Sequence, residues 1–161
     1  MESPGKAHPT EFYKGLDYFN RGFYFECHDA WEEVWAEAKG KEKIFYQALI
    51  MVAVSLYHFE NENLEGALSC YEKALTRFRQ LPDHYLSVNL RELAEKLGEF
   101  YRGSSTAGKE DLAGKPRPRI ELEGTSWAIT LLSGFGSMDG SVQGISFYGL
   151  ASRFTDEMFN V

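Results

Sequence analysis

Residues 25–35 read FECHDAWEEVW, which sets one histidine and several acids among large aromatic side chains. Wound as a helix at about 100° per residue, this stretch puts His28 and Glu32, four residues apart, on one shared edge. Further along, Gln47 and His58 fall within about 20° of one another on a second helix, with Ser55 nearby. Two imidazoles and a carboxylate, here His28, His58 and Glu32, suffice to hold one divalent metal ion with a coordination position left open. An ion held in that way lowers the pKa of a bound water to about 7. The same groups, with Gln47, also make a self-satisfied network that fixes helix register and does no chemistry. Such a network has a reason to form, because a buried polar group without a partner costs roughly 1–3 kcal/mol. The His-x-x-x-Glu spacing does not separate the two readings, since any amphipathic helix edge can supply it.

The elements that must position these residues are helical. From Thr10 to Asn20 the apolar residues Phe12, Leu16 and Phe19 recur at helical spacing, and Gly22 is a natural stop. A second helix runs from Phe23 or Tyr24 to Ala38, with Gly40 behind it, and its apolar arc is Tyr24, Cys27, Trp31, Val34, Trp35 and Ala38. On this wheel His28 lies roughly 70° and Glu32 roughly 110° from the arc's centre, while Glu26, Asp29 and Glu33 point well away. A third helix, Glu42 to Phe59, is apolar on nearly every side and is the expected centre of the core. A fourth begins at the N-cap Asn63 and buries Leu64, Ala67, Leu68, Tyr71, Ala74, Leu75 and Phe78. Gly66-Ala67, at its start, reads as a close approach of two helices. A fifth carries Leu90, Leu93, Ala94, Leu97 and Phe100 and ends at Gly103.

The fold class expected is therefore all-α, a bundle of about five antiparallel helices over residues 10–102, with short connections. Trp31 and Trp35 belong to its core, and His8 and His84 to its surface. Residues 103–118 are small, polar and proline-containing, a flexible linker by composition. Residues 119–123 alternate like a short strand and open a glycine-rich C-terminal extension to residue 161. Its Trp127, Phe135, Phe147 and Tyr148 make docking, on the bundle, on a second subunit or on another protein partner, the expectation over free exposure.

At 161 residues and a net charge of −7 the chain fits one buried domain and lacks the basic cluster that nucleic acid binding requires. The apolar run at 48–54 falls short of the roughly 20 residues that span a bilayer, so no membrane partner is expected. The N-terminus shows no charged-then-apolar signal pattern. Cys27 and Cys70 lie on apolar helix faces without C-x-x-C spacing, as reduced core residues do. A soluble, cytoplasmic protein follows as the expectation. There is also an internal repeat: Tyr24, Cys27, Trp31, Glu32, Val34 and Trp35 match Leu64, Ala67, Tyr71, Glu72, Ala74 and Leu75 at one constant offset. Two stacked helix hairpins are implied, and residues 63–75 resemble the second helix of a tetratricopeptide repeat. That likeness favours a protein-interaction module in which the polar cluster is purely structural.

Several motifs in order carry a more specific resemblance. PheAsnArgGly (19–22), PheGluCysHisAspAlaTrpGlu (25–32) with Trp35, GlnAlaLeuIle (47–50), and His58 followed by Asn63 and GlyAla (66–67) resemble the signature of the domain-of-unknown-function 309 family. That pattern runs Phe-Asn-x-Gly, Phe-Glu-x-His-Glu-x-Leu-Glu-x-x-Trp, Gln-Gly-Leu-Ile-Gln, then His with Gly-Asn-x-x-Gly-Ala. The resemblance implies a small helical bundle and a metal-dependent hydrolase. Its polar positions fall on Asn20, Glu26, His28, Glu32, Gln47, His58 and Asn63. Glu26 is thereby implied as a catalytic carboxylate beside the metal ligands His28, Glu32 and His58, with Gln47, Asn20 and Asn63 lining the pocket. Read without the resemblance, Glu26 is a first-turn acid at a helix N-terminus, and Asn20 and Asn63 are helix-end residues. Asp29 stands for the usual Glu, Trp31 for Leu, Ala48 for Gly, and Met51 for the second Gln, which takes one polar group out of the pocket.

Overall fold

The helical periodicity becomes five helices in the computed structural model, which describes residues 8–104 and 112–123. All of these lie in the first of the two units into which the chain divides, Met1–Ser126 and Trp127–Val161. The helices are α1 Thr10–Asn20, α2 Tyr24–Glu37, α3 Gly40–Glu60, α4 Leu64–Phe78 and α5 Leu90–Tyr101. Each packs on the next in chain order. The fold class is all-α, as the pattern predicts. Expectations for Trp127, Phe135, Phe147 and Tyr148 fall outside the described residues.

α3 is the centre of the core. Phe45, Ala48, Leu49, Ile50, Met51, Val52, Ala53 and Leu56 on it are all essentially inaccessible to water, and each large apolar side chain so buried contributes roughly 1.5–3 kcal/mol. Trp31 fixes the α1–α2 contact. Its indole stacks on Phe12 and Phe19 and its Nε1–H donates to the Phe12 carbonyl at 3.0 Å. A Cβ on Gly15 would sit 2.3 Å from that nitrogen, so glycine at 15 is what lets α1 reach the indole. Trp31 is core, as expected, and Trp35 is half-buried. Cys27 and Cys70 are free and buried.

The two hairpins repeat at the level of the backbone. After α1 the N–H of Gly22 donates to Phe19 O and that of Phe23 to Tyr18 O, at 3.0 and 2.9 Å. After α3 the N–H of Glu62 donates to Phe59 O and that of Asn63 to His58 O, at 3.1 and 2.9 Å. This is the same double-bonded helix stop in both copies. It requires a left-handed residue, supplied by Gly22 at φ 83° and by Glu62 at φ 64°.

Three features depart from the sequence reading. A two-residue hairpin, β1 His84–Tyr85 with β2 Val88–Asn89, precedes α5, turning through Leu86 and Ser87 at φ 45° and 65°. It delivers Asn89, whose Oδ1 accepts the Glu92 N–H at 2.9 Å and caps α5. His8, expected at the surface, is buried: its ring stacks 3.8 Å from Phe12 and bonds the Tyr46 hydroxyl at 2.9 Å and the Leu86 carbonyl at 2.7 Å. His84 is exposed as expected and pairs with Glu123 at 2.8 Å. Residues 112–123 lie against the bundle as a strap. Leu112, Ile120 and Leu122 on it are buried. Lys115 Nζ donates to the carbonyls of Glu99, Phe100 and Arg102 at 3.0–3.2 Å and so closes the C-terminus of α5. Arg117 lies over Phe59 and Phe100 and pairs with Glu60 at 2.8 Å. Residues 119–123 make one isolated bridge, Leu122 to Val88.

Candidate functional site

His28 lies on the inward edge of α2 because a Cβ there stands close to the apolar arc of Cys27 and Trp31. Its side chain is 2% exposed. Glu32, one turn on, lies on the same edge, and the helical repeat brings its Oε2 to 3.6 Å from His28 Nε2. Asp29, which the helical wheel points away, closes the group from the other side: its Oδ1 lies 3.1 Å from His28 Nδ1. The wheel gives the direction of Cβ, and a short carboxylate next in sequence can bend back onto the ring. Among the described residues, His28, Asp29 and Glu32 form a group whose ligand atoms all lie within 4.8 Å of one another. Asp29 and Glu32 are about half exposed, at 45% and 51%.

A carboxylate only accepts, so the bond to Asp29 places a proton on His28 Nδ1. In the neutral ring Nε2 then carries the lone pair on the side of Glu32. Two electron donors 3.6 Å apart are further apart than a hydrogen bond. They lie at the upper end of the separation of about 3.3–3.6 Å between neighbouring ligands of a tetrahedral ion with bonds of about 2.0–2.2 Å. The Nδ1–H to carboxylate contact is the orienting bond that metal-ligating histidines commonly make. The donor set, one imidazole with carboxylates at hand, suits a divalent ion such as zinc or manganese.

The other residues expected at the site occupy different surroundings. His58 is outside the His28 group, and its Nδ1 faces Asn63 Nδ2 at 3.4 Å. Burial lowers its pKa from the ordinary 6.5. Asn63 caps α4 through the Gly66 N–H at 2.9 Å, as its position predicts. Glu26, in the first turn of α2, is half-buried and also outside the group. Its charge adds to burial, the larger cause, in raising the pKa of Tyr57. Gln47 is half-buried on α3. Asn20 commits both ends of its amide to one partner, donating to Ile120 O at 2.8 Å and accepting the Ile120 N–H at 2.9 Å, which ties α1 to the strap. Ser55 faces α4 and α5, donating to Ala67 O at 2.7 Å and accepting from the Tyr101 hydroxyl at 2.6 Å. The member missed from the sequence is Asp29, whose signals were adjacency to the histidine and its place at the acidic position that follows the histidine in the family pattern.

The positions that cluster all fall on α2. Residues 12–70 match the model of the family described as Domain of unknown function (DUF309). The motif resemblance is borne out, and the DUF309 segment holds every residue expected at the site. An uncharacterized protein of Aquifex aeolicus (strain VF5) is 31% identical over 97 residues, 59% of this chain and 29% of that protein. The uncharacterized protein YpuF of Bacillus subtilis (strain 168) is 44% identical over 45 residues, 27% of this chain and 26% of that protein. The chain thus spans less than a third of the length of either relative.

Proposed function

We propose that the DUF309 segment binds one divalent cation at the α2 edge formed by His28, Glu32 and Asp29, and that the bound ion serves hydrolysis. The observation that supports this reading is the 3.6 Å approach of His28 Nε2 to Glu32 Oε2, with Asp29 3.1 Å from Nδ1. His28 and Glu32 would hold the ion, and Asp29 would orient the ring or add a third ligand atom, an oxygen. When bound, the ion would supply an acidified water and a Lewis acid. The exposed carboxylates give it a path from solvent. Glu26, the carboxylate implied as catalytic, stands outside the proposed ligand set, as does His58. The test is uptake. Dialysis of the full chain against zinc or manganese, followed by elemental analysis, should give one ion per chain, and His28→Ala should give none.

A second reading has its own support. The His28–Asp29 contact is already a hydrogen bond, and the two hairpins repeat as they do in helical interaction modules. On that reading the cluster holds α2 in place and the protein works by binding another protein. Absence of ion uptake by the unmodified chain would favour it. The start of the C-terminal extension belongs to the same proposal: the burial of Ile120 and Leu122 supports docking of residues 119–123 on the helices. A reducing, cytoplasmic setting fits two buried free thiols.

A further inference from the structure

The second hairpin loop carries a chain of contacts that ends on a single nitrogen of His58. The backbone N–H of Asn63 donates to His58 O at 2.9 Å, which sets Asn63 over the last turn of α3. The side chain of Asn63 then reaches forward, and its Oδ1 accepts the Gly66 N–H at 2.9 Å. Only the oxygen of an amide can accept, so this bond decides which end of the Asn63 amide is which. The –NH2 end is left facing His58 Nδ1, at 3.4 Å. A side chain at 66 would forbid this arrangement, because a Cβ there would lie 2.5 Å from Asn63 Nδ2 and 2.9 Å from its Cγ. The Asn-x-x-Gly spacing thus has a cause different from the close helix approach read from the sequence: glycine makes room for the amide.

An –NH2 group donates and does not accept, so Nδ1 of His58 must accept, and the proton of the neutral ring sits on Nε2. Burial favours that neutral ring. The ring is half-buried, and among the described residues no hydrogen-bond partner addresses Nε2. We infer that His58 is a neutral hydrogen-bond donor through Nε2, presented to an acceptor oxygen of a ligand, with Asn63 and Gly66 as its positioning residues, and that it is not a metal ligand. Ligation through Nε2 would need the proton moved to Nδ1, where the Asn63 –NH2 would oppose it. The inference does not rest on the cation reading, since none of the contacts linking Gly66, Asn63 and His58 involves His28, Asp29 or Glu32.

Long-range 1H–15N correlation on the uniformly labelled full chain above neutral pH reads the tautomer directly. His58 should show an unprotonated Nδ1 and a protonated Nε2. Asn63→Asp should invert this, because a carboxylate still caps Gly66 and now accepts from Nδ1–H. Gly66→Ala, by displacing the amide, should leave a mixture of tautomers. One equivalent of zinc should leave the His58 tautomer unchanged whether or not zinc binds at His28. Titration with inorganic phosphate and with acetate should move the Nε2–H signal for at least one of the two. A protonated Nδ1 in the unmodified chain, no inversion in Asn63→Asp, or a switch to Nδ1–H with zinc would overturn the assignment. No response to either anion would overturn the oxygen-binding role.

Discussion

The α1–α2 and α3–α4 hairpins share a backbone and differ in where they keep their polar groups. Both loops close with the same pair of hydrogen bonds and the same left-handed residue, and both are tied to the strap, through Asn20 to Ile120 and through Glu60 to Arg117. The first hairpin holds its histidine in the body of the helix, where His28 meets Asp29 and Glu32. The second has Leu68 at the equivalent place and carries its histidine at the loop, where His58 meets Asn63. The repeated part is the one that backbone geometry and core packing dictate. What differs is polar chemistry, which a helix can carry at any edge position without altering its path.

The largest difference between the halves should appear in the core. Trp31 is fully buried and bonded to Phe12, whereas its counterpart Tyr71 is half-buried. Trp31→Ala should cost about 3–5 kcal/mol, and Tyr71→Ala distinctly less, as read from chemical denaturation. Equal losses would mean that the two hairpins contribute alike and that Gly15 gives the first no special packing.

The loops should respond in opposite directions. No atom lies within 4 Å of a Cβ placed on Gly22, so the cost of Gly22→Ala comes from its φ of 83° alone, about 1–2 kcal/mol. Glu62→Gly relieves the same conformation in the second loop and should stabilise by up to about 1 kcal/mol. A loss on Glu62→Gly would show that the Glu62 side chain outweighs its backbone strain.

The smallest effect is one of pH. Burial lowers the pKa of His58 below 6.5, so the unfolded chain binds that proton more readily than the folded one. Stability from this group is complete above about pH 6.5 and falls as pH drops through the window between the unfolded and folded values. His58→Gln should flatten that acid slope, measured as melting temperature against pH. An unchanged slope would place the acid sensitivity elsewhere.

Much of the fold was legible because it rests on local rules. The apolar stripes of four helices, the all-round apolar α3, the Gly22 stop and the Asn63 cap follow from helical spacing and helix-end chemistry. The β1–β2 hairpin was not legible, because Leu86 and Ser87 take left-handed angles that glycine or asparagine usually announce. Residues 112–123 read as linker and strand by composition, yet Leu112, Ile120 and Leu122 are buried and Lys115 and Arg117 find carbonyls and rings. These are long-range fits that no window of sequence displays. His8 was misplaced for the same reason, since its partners Tyr46 and Leu86 are distant in the chain. At the site, the His28–Glu32 edge was readable from the i, i+4 rule, whereas Asp29 depended on side-chain direction rather than on position.

Exchanging one residue between the hairpins tests the cation reading most directly. His28→Leu installs the residue that the second copy carries at Leu68. Because Asp29 and Glu32 keep access to water, the change should alter stability by no more than about 1.5 kcal/mol. Equilibrium dialysis of unmodified and His28→Leu chains against zinc, with metal quantified per chain, should give one ion in the first and none in the second. No ion in the unmodified chain, or equal uptake by both, would contradict the assignment of a cation site to His28, Asp29 and Glu32.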